Sequence, residues 1–405
     1  MEKAWVITPY DVTRDLPICH MNQPKRPHLI MLGAGHAHLQ VIKQWAASDL
    51  PEVDITLISP HPVQTYSGMI PGWVAGTYPL ELCSIDIRPW LESTGIRWVE
   101  DQAVRLDPDH KQIFIRSKPN EAIDFDFISI DIGSSMSLAQ LERLIPGASG
   151  RVLPIRPMDQ FVKYWQIALE MASNRRLDIS IVGAGAAGVE VALACRAKLH
   201  SINAKASVSL LTGSPGGLLN IYPKRVQAKA REALQAADVT VLPHRCTRLE
   251  DGAIVLENGL RLNCDLPIIA TGAMAPEWLT KTGLALDENG YILVNSHQQS
   301  VSHAHVFACG DIATRSDLPH AKSGVYAVRA GEAMGDQLLA AIQGADLSDI
   351  QVRKRSLNLL NTANRRAIAS YGPFCSSGWL MWQLKNFIDK RYIRSFQKPP
   401  TRNKG

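Results

Sequence analysis

The chain has 405 residues, 46% of them hydrophobic and 20% charged, with a net charge of +5. That length suits two or three domains, and the composition excludes a disordered, collagen-like or disulfide-rich chain. No uninterrupted apolar run approaches the ~20 residues that a membrane-spanning helix needs.

Residues 1–26 contain Pro17, Met21 and Pro24 and have no apolar periodicity, so they are expected to form a loose N-terminal arm. They show no basic patch followed by an apolar core, and no secretory signal is predicted. His28–Leu32 is a short apolar strand ending at Gly33, and Val53–Ile58 is another ending at Ser59-Pro60. A helix-length stretch over about 36–48 lies between them, which makes a β-α-β unit, the seed of a parallel sheet. Phe127–Ile132 is an apolar strand that runs into Gly133. About 150 residues after the first unit the grammar restarts: Asp178–Val182 runs into Gly183, a helix follows, and Ser207–Leu211 ends at Thr212-Gly213. Ile268–Ala270 leads into Thr271-Gly272. Val306–Cys309 ends in Gly310-Asp311, ahead of a helix over Ser323–Leu339. Two such units predict two nucleotide-binding domains rather than one larger sheet.

The last segment differs. Leu357–Leu360 and Ala367–Tyr371 are predicted to pair as strands. From Trp379 to Phe396 a helix would place Leu380, Leu384, Ile388, Tyr392 and Phe396 on one i, i+4 row. That row suits a core or dimer-packing face. With Trp379, Trp382, Lys385, Lys390, Arg391 and Arg394 it also suits a helix lying on an anionic membrane. Residues 351–405 hold twelve Lys or Arg and one acid, Asp389, whereas the remainder holds 31 basic and 37 acidic residues. A basic tail on a near-neutral body points to an anionic surface or partner. Without interleaved aromatic platforms it does not point to nucleic acid. The seven cysteines (19, 83, 195, 246, 264, 309 and 375) are dispersed with no C-x-x-C pair, as in reduced, cytoplasmic proteins.

Two glycine clusters carry chemistry. In Gly33-Ala34-Gly35-His36-Ala37-His38 the first glycine suits a sharp strand-to-helix turn. The second lets a pyrophosphate approach free N–H groups at the helix N-terminus. His38 replaces the third glycine, and Ser59 stands where an acid would bind a ribose hydroxyl, so an ordinary β-α turn explains this cluster equally well. In Gly183-Ala184-Gly185-Ala186-Ala187-Gly188-Val189-Glu190 all three glycines are present, which predicts dinucleotide binding. Thr212-Gly213 replaces the ribose acid there, and no arginine follows at once, so neither NADH nor NADPH is singled out. Asp311 is placed to accept a hydrogen bond from a ligand hydroxyl, or simply to cap a helix. His36 and His38, two apart at a helix start, point in different directions, and no metal is predicted. The same holds for His303 and His305.

The ordered set G-x-G, D-I-G, G-x-G-x-x-G-x-E, A-T-G and A-C-G-D, over roughly residues 27–340, resembles the two-dinucleotide flavoprotein superfamily of pyridine nucleotide–disulfide oxidoreductases. The resemblance implies an α/β fold: two Rossmann-like dinucleotide-binding domains with parallel sheets, plus a small α+β C-terminal interface domain. It implies an FAD domain at 27–150 and 290–345, an NAD(P)H domain at 151–289 and the interface domain at 346–405. On the FAD side it places Gly33, Gly35, His36, His38, Ser59, Ser67, Asp131, Gly133, Gly310 and Asp311, with Ala103 and Val104 near the adenine. On the NAD(P)H side it places Gly183, Gly185, Gly188 and Gly272. Glu190, near nicotinamide and flavin, is one catalytic candidate; Lys322 is the other, since with Arg329 it follows Asp311 and either puts positive charge near the reduced flavin or is a solvated helix charge. A closer resemblance is carried by Gly33–Val41, Tyr66-Ser67-Gly68-Met69-Ile70-Pro71-Gly72 and Leu384–Arg391. These segments are similar to the NADH dehydrogenase-like flavoprotein found alone or fused to selenide, water dikinase, a kinase with no counterpart in these residues.

The chain departs from that superfamily in two places. The paired flavin-side cysteines of disulfide reductases are missing, leaving distant Cys83, Cys309 and Cys375 as relay candidates against a simpler reading as buried thiols. The A-Q-x-A-x-Q quinone motif of type II NADH dehydrogenases is replaced by Gly324-Val325-Tyr326-Ala327-Val328-Arg329. The expected function is an FAD-dependent NAD(P)H oxidoreductase, cytoplasmic or peripherally membrane-associated, passing hydride to flavin and then to a quinone or small acceptor. A homodimer and a selenide, water dikinase partner are further expectations. The alternatives are a sulfide- or selenide-handling flavoprotein and a non-catalytic nucleotide-binding regulatory module.

Overall fold

The computed structural model describes residues 26–48, 50–134, 136–214, 216–272, 274–320, 322, 324–351 and 355–400. The expected N-terminal arm therefore lies, apart from Arg26, outside the described residues.

Two five-stranded parallel sheets dominate. In the first, the spatial order is Val306–Ala308, Phe127–Ile130, His28–Leu32, Asp54–Ile58 and Arg97–Val99. In the second it is Leu153–Pro154, Leu266–Ile269, Leu177–Val182, Ala206–Leu211 and Thr240–Leu242. Both sheets follow one plan. A central strand enters a crossover helix (His36–Ala46 in the first, Ala186–Ser201 in the second), and the next strand lies beside the first. Each sheet also carries a three-stranded antiparallel meander, Ala103–Asp107, Gln112–Ile115 and Lys118–Asp124 in the first unit. Its counterpart is Cys246–Glu250, Ala253–Leu256 and Arg261–Asn263 in the second.

The central strands are apolar along their length because both faces of each sheet are covered: in the first, Leu29, Met31 and Leu57 pack among the helices, while Ile30, Leu32 and Ile58 pack against Leu106, Ile113 and Ile115 of the meander. Leu29, Ile30 and Met31 are fully buried, as is Ile181 in the second unit. The outer strand of the first sheet, Val306–Ala308, arrives only after the whole second unit, so the second sheet is inserted into the connection that completes the first. The helix Gly324–Gln343 then packs along His36–Ala46. It begins one residue after, and runs four past, the expected Ser323–Leu339; Ser323 itself lies outside the described residues.

Near the C-terminus, Asn358–Asn361, Ala367–Tyr371 and Phe374–Gly378 form an antiparallel sheet, in which the expected strand pair is the first two. The helix Trp379–Arg394 follows, but its inner face is not the one the apolar row predicts. Leu380, Leu384 and Ile388 are 67%, 38% and 40% exposed, whereas Trp382, Lys385, Asp389 and Ile393 are buried. Of the row, Phe396 alone, just beyond the helix, is buried. The reason is an ion pair: Lys385 and Asp389 neutralise each other four residues apart and so can enter the interior together.

Candidate active site

The first glycine turn meets a carboxylate. The strand His28–Leu32 ends at Gly33, which has φ +87°, and Gly35 opens the helix His36–Ala46. Asp131, at the end of the neighbouring strand, directs its carboxylate at this helix N-terminus. Its Oδ2 accepts the N–H groups of Ala37 (2.8 Å) and His38 (2.9 Å), and its backbone carbonyl accepts Gly35 N–H at 3.1 Å. A Cβ at Gly35 would strike the carboxylate itself, so only glycine fits here. Burial pushes the Asp131 carboxyl up to about 7, against the two N–H bonds, which favour its charged form.

His38, in place of a third glycine, is fully buried. Its Nδ1 meets Gly33 O at 2.6 Å and its Nε2 meets Ser129 Oγ at 2.7 Å, so both ring nitrogens are committed to the protein. It braces helix against strand, and a ligand contact is not what its geometry offers. Ser59 is similarly turned inward, its carbonyl accepting Trp98 Nε1–H at 3.0 Å. Ala103 and Val104 open the meander, with Val104 at the surface. Gly133, with φ +67°, stands free of close neighbours.

Gly310 and Asp311 sit on a short turn beside Asp131. Asp311 is held by Arg156, whose Nη1 lies 2.6 Å from Oδ2 and 2.9 Å from Ser134 Oγ. The cavity here is lined by Gly310, Asp311, Arg315, His320, Lys322 and Tyr326, among others. Lys322 donates to Ala313 O and, at 2.7 Å, to Thr314 Oγ1, and lies 4.1 Å above the Tyr291 ring. Burial lowers its ammonium to about 8, opposed by Asp287 and Asp311. Arg329, one turn into the long helix, leaves Nη1 buried with no hydrogen-bond partner among the described residues.

The second turn is open. Gly183 has φ +107°, and a Cβ there would come within 2.7 Å of Ala270 O; one at Gly188 would strike the Gly183 carbonyl. At Gly185 and Gly272 nothing lies within 4 Å of an added Cβ. The helix Ala186–Ser201 begins without a side-chain cap, and among the described residues the space beside Gly185 is open, so its first N–H groups and dipole can meet an anion. Thr271 Oγ1 beside it is buried without a hydrogen-bond partner among the described residues. Open space, free donors and an orphaned hydroxyl are what a dinucleotide pyrophosphate would use.

A buried polar cluster, missed in the sequence, joins the two turns. Lys385 Nζ donates to Asp389 Oδ2 and to Gly68 O, each at 2.9 Å, and Tyr66 OH donates to Asp389 Oδ1 at 3.2 Å. Tyr66 packs 4.6 Å from Tyr392 and 5.5 Å from His36, ring centre to ring centre. Ser67 opens the short turn that follows Tyr66, facing Gly324. Burial lowers His36 to about 4, so it is neutral. Glu190, on the second glycine helix, accepts the Asn361 N–H at 2.6 Å, and burial, opposed by the Lys385 charge, pushes its carboxyl up to about 7. Lys385 and Asp389 at spacing four were the available signal, but surface pairs share that spacing. Cys83, Cys195, Cys246, Cys264 and Cys309 are buried and Cys375 is half-buried; all six are unpaired, and burial raises each thiol, Cys83 to about 12. Neutral thiols are poor relays.

Two parallel sheets of one order, each opening on a glycine turn at a helix N-terminus, define an oxidoreductase of the two-dinucleotide type. The chain belongs to the pyridine nucleotide-disulphide oxidoreductase family, whose model matches residues 27–334. NADH dehydrogenase-like protein YutJ of Bacillus subtilis (strain 168) is 23% identical over 317 residues, 78% of this chain and 82% of YutJ. Among solved structures, NDH2 from Plasmodium falciparum in complex with NADH shares the fold with a TM-score of 0.77 at 15% identity, covering 93% of this chain and 99% of NDH2. The sulfide:quinone oxidoreductase of Aquifex aeolicus matches with a TM-score of 0.74 at 16% identity, covering 93% of each chain. The protein is an FAD-dependent oxidoreductase that works with NAD(P)H.

Proposed function

We propose that the protein is an NAD(P)H dehydrogenase that passes electrons through FAD to a quinone or another small acceptor. The first glycine turn, with Gly310 and Asp311, would hold FAD, and the second, from Gly183 to Gly188, would hold NAD(P)H. The division into an FAD domain (27–150 and 290–345), an NAD(P)H domain (151–289) and a C-terminal interface domain (346–405) belongs to this reading. The observation that carries it is the open, uncapped turn at Gly185 on an inserted copy of the same sheet. When bound, the flavin supplies the hydride acceptor and the onward electron donor.

The chain's own residues bind and position. Gly35 and Gly185 let a pyrophosphate approach helix donors, and Arg156 holds Asp311 in place. Arg329 and Lys322 offer positive charge beside the FAD turn. Glu190, with a carboxyl near 7, can hold or release a proton at neutral pH, and Lys385, Asp389 and Tyr66 form the nearest hydrogen-bonded store. A quinone acceptor is supported by the likeness to demethylphylloquinone reductase NdbB of Synechocystis sp. (strain ATCC 27184 / PCC 6803 / Kazusa), 23% identical over 311 residues, 72% of this chain and 73% of NdbB. The exposed Leu380, Leu384, Phe387 and Ile388, beside Lys390, Arg391 and Arg394, support peripheral contact with an anionic membrane, where a quinone would reside. No described helix is long and apolar enough to cross a membrane.

The test is an anaerobic visible spectrum titrated with NADH, then NADPH, then a short-chain quinone. Flavin bands that bleach with nucleotide and return with quinone are expected. Bands that bleach with sulfide or selenide alone would refute the donor, and bands that stay bleached with quinone would refute the acceptor. A protein that takes up no FAD would leave the nucleotide-binding regulatory module in its place.

A further inference from the structure

The FAD turn already contains an anion. Asp131 occupies the helix N-terminus with its carboxylate, packed against Gly33, Gly35 and Gly310, and takes two of the N–H groups that would otherwise face a pyrophosphate. The second turn has no acid at this place; Ala270 stands there, and the space beside Gly185 is open among the described residues. We propose that Asp131 gates FAD binding by protonation: the neutral carboxyl admits and can donate to the pyrophosphate, whereas the carboxylate repels it. The inference rests on FAD occupying the first turn.

Apart from the Ala37 and His38 N–H groups, which favour the carboxylate, the surroundings supply nothing that cancels its charge, and Arg329 on the helix Gly324–Gln343 is not among the influences on it. From the first helix, His36 and His38 are neutral, both lowered to about 4 by burial. From the strand end come the Cys309 thiol, raised well above its usual range, and Asp311, a second negative charge whose cation Arg156 is already committed. From the C-terminal helix comes the Tyr392 hydroxyl, also raised by burial. Lys322 across the cavity is bound to Ala313 and Thr314. Among the described residues no Lys or Arg pairs with Asp131. A pyrophosphate is fully ionised near neutral pH, so it meets either a proton on Asp131 or a like charge that no cation neutralises. Asp131 titrates near 7, which puts the change within reach of ordinary buffers.

The experiment is FAD binding to flavin-free, full-length protein, followed by quenching of flavin fluorescence from pH 6 to 9. Wild type is expected to weaken roughly tenfold per unit above pH 7, about 100-fold in all. Asp131→Asn, neutral at every pH and still able to accept the two N–H bonds, is expected to bind FAD without this tenfold-per-unit loss above pH 7. Asp131→Ala serves the same purpose where the Asn variant does not fold. Lys322 losing its proton near 8 would also weaken anion binding, but that slope would persist in both variants. A flat wild-type profile, or a wild-type slope retained in the variants, overturns the gating. No FAD binding at any pH in any variant overturns the FAD assignment, and the gating with it.

Discussion

Replacing Lys385 by methionine tests how the C-terminal helix is held. Lys385 is 8% exposed and Asp389 5%, so the variant leaves a buried carboxylate with only the Tyr66 hydroxyl for company. Gly68 O also loses its donor. Removing one partner of a buried pair costs about 3–5 kcal/mol, and an unmet carbonyl adds about 1 kcal/mol. Asp389 already has a raised pKa from burial, with Lys385 as the main opposing influence, so in the variant it rises further. A raised carboxylate pKa means the loss is full at pH 8 and shrinks as the pH falls and the folded state takes up a proton. Lys385→Met with Asp389→Leu removes both charges and should cost no more than about 2 kcal/mol, the worth of the two orphaned hydrogen bonds. Hydrogen exchange of peptides covering 379–394 reads the local opening free energy directly. A loss below about 1 kcal/mol at pH 8, or a double variant as damaged as the single one, would refute the buried-pair argument.

The two glycines of the second turn should separate folding from binding. Gly185→Ala meets open space and should leave thermal unfolding unchanged while weakening NAD(P)H at least tenfold, about 1.4 kcal/mol, by calorimetry. Gly188→Ala drives a Cβ into the Gly183 carbonyl and should cost roughly 1–3 kcal/mol of stability even without nucleotide. Flavin-free Asp131→Asn should gain on the order of 4 kcal/mol over wild type at pH 8, judged by urea unfolding, and little at pH 4. The sign follows from a folded pKa near 7 against 3.8 unfolded: wild type loses stability as pH rises through that window. If the exposed row lies on lipid, Leu384→Glu with Ile388→Glu should abolish sedimentation with anionic vesicles and leave nucleotide reduction of the flavin unchanged.

Local pattern made the sheets legible. Continuous apolar runs ending in glycine gave His28–Leu32 to the residue and placed Leu177–Val182 and Ala206–Leu211 to within one. What pattern could not carry was any contact between distant segments. The role of His38 depends on Ser129, 91 positions away, and the Lys385–Asp389 pair reads from sequence as two solvated charges until Gly68 and Tyr66 close over it. The same pair inverted the apolar row, because a neutralised polar pair can outcompete leucines for an inner face when specific acceptors wait there.

The two turns also show why motif completeness and site chemistry diverge. The second turn keeps all three glycines and an open, uncapped helix N-terminus, terms that suit a ligand that must enter and leave within each turnover. The first lacks the third glycine, fills that place with a bracing histidine, and adds Asp131. Read as a motif, it is the weaker of the two. Read as electrostatics, it is the more specialised, since a buried acid at a helix N-terminus makes occupancy depend on a proton as well as on fit. A resident cofactor tolerates that condition where an exchanging one would not, because the proton need be taken up once, at loading, and is then shielded from solvent by the ligand that required it.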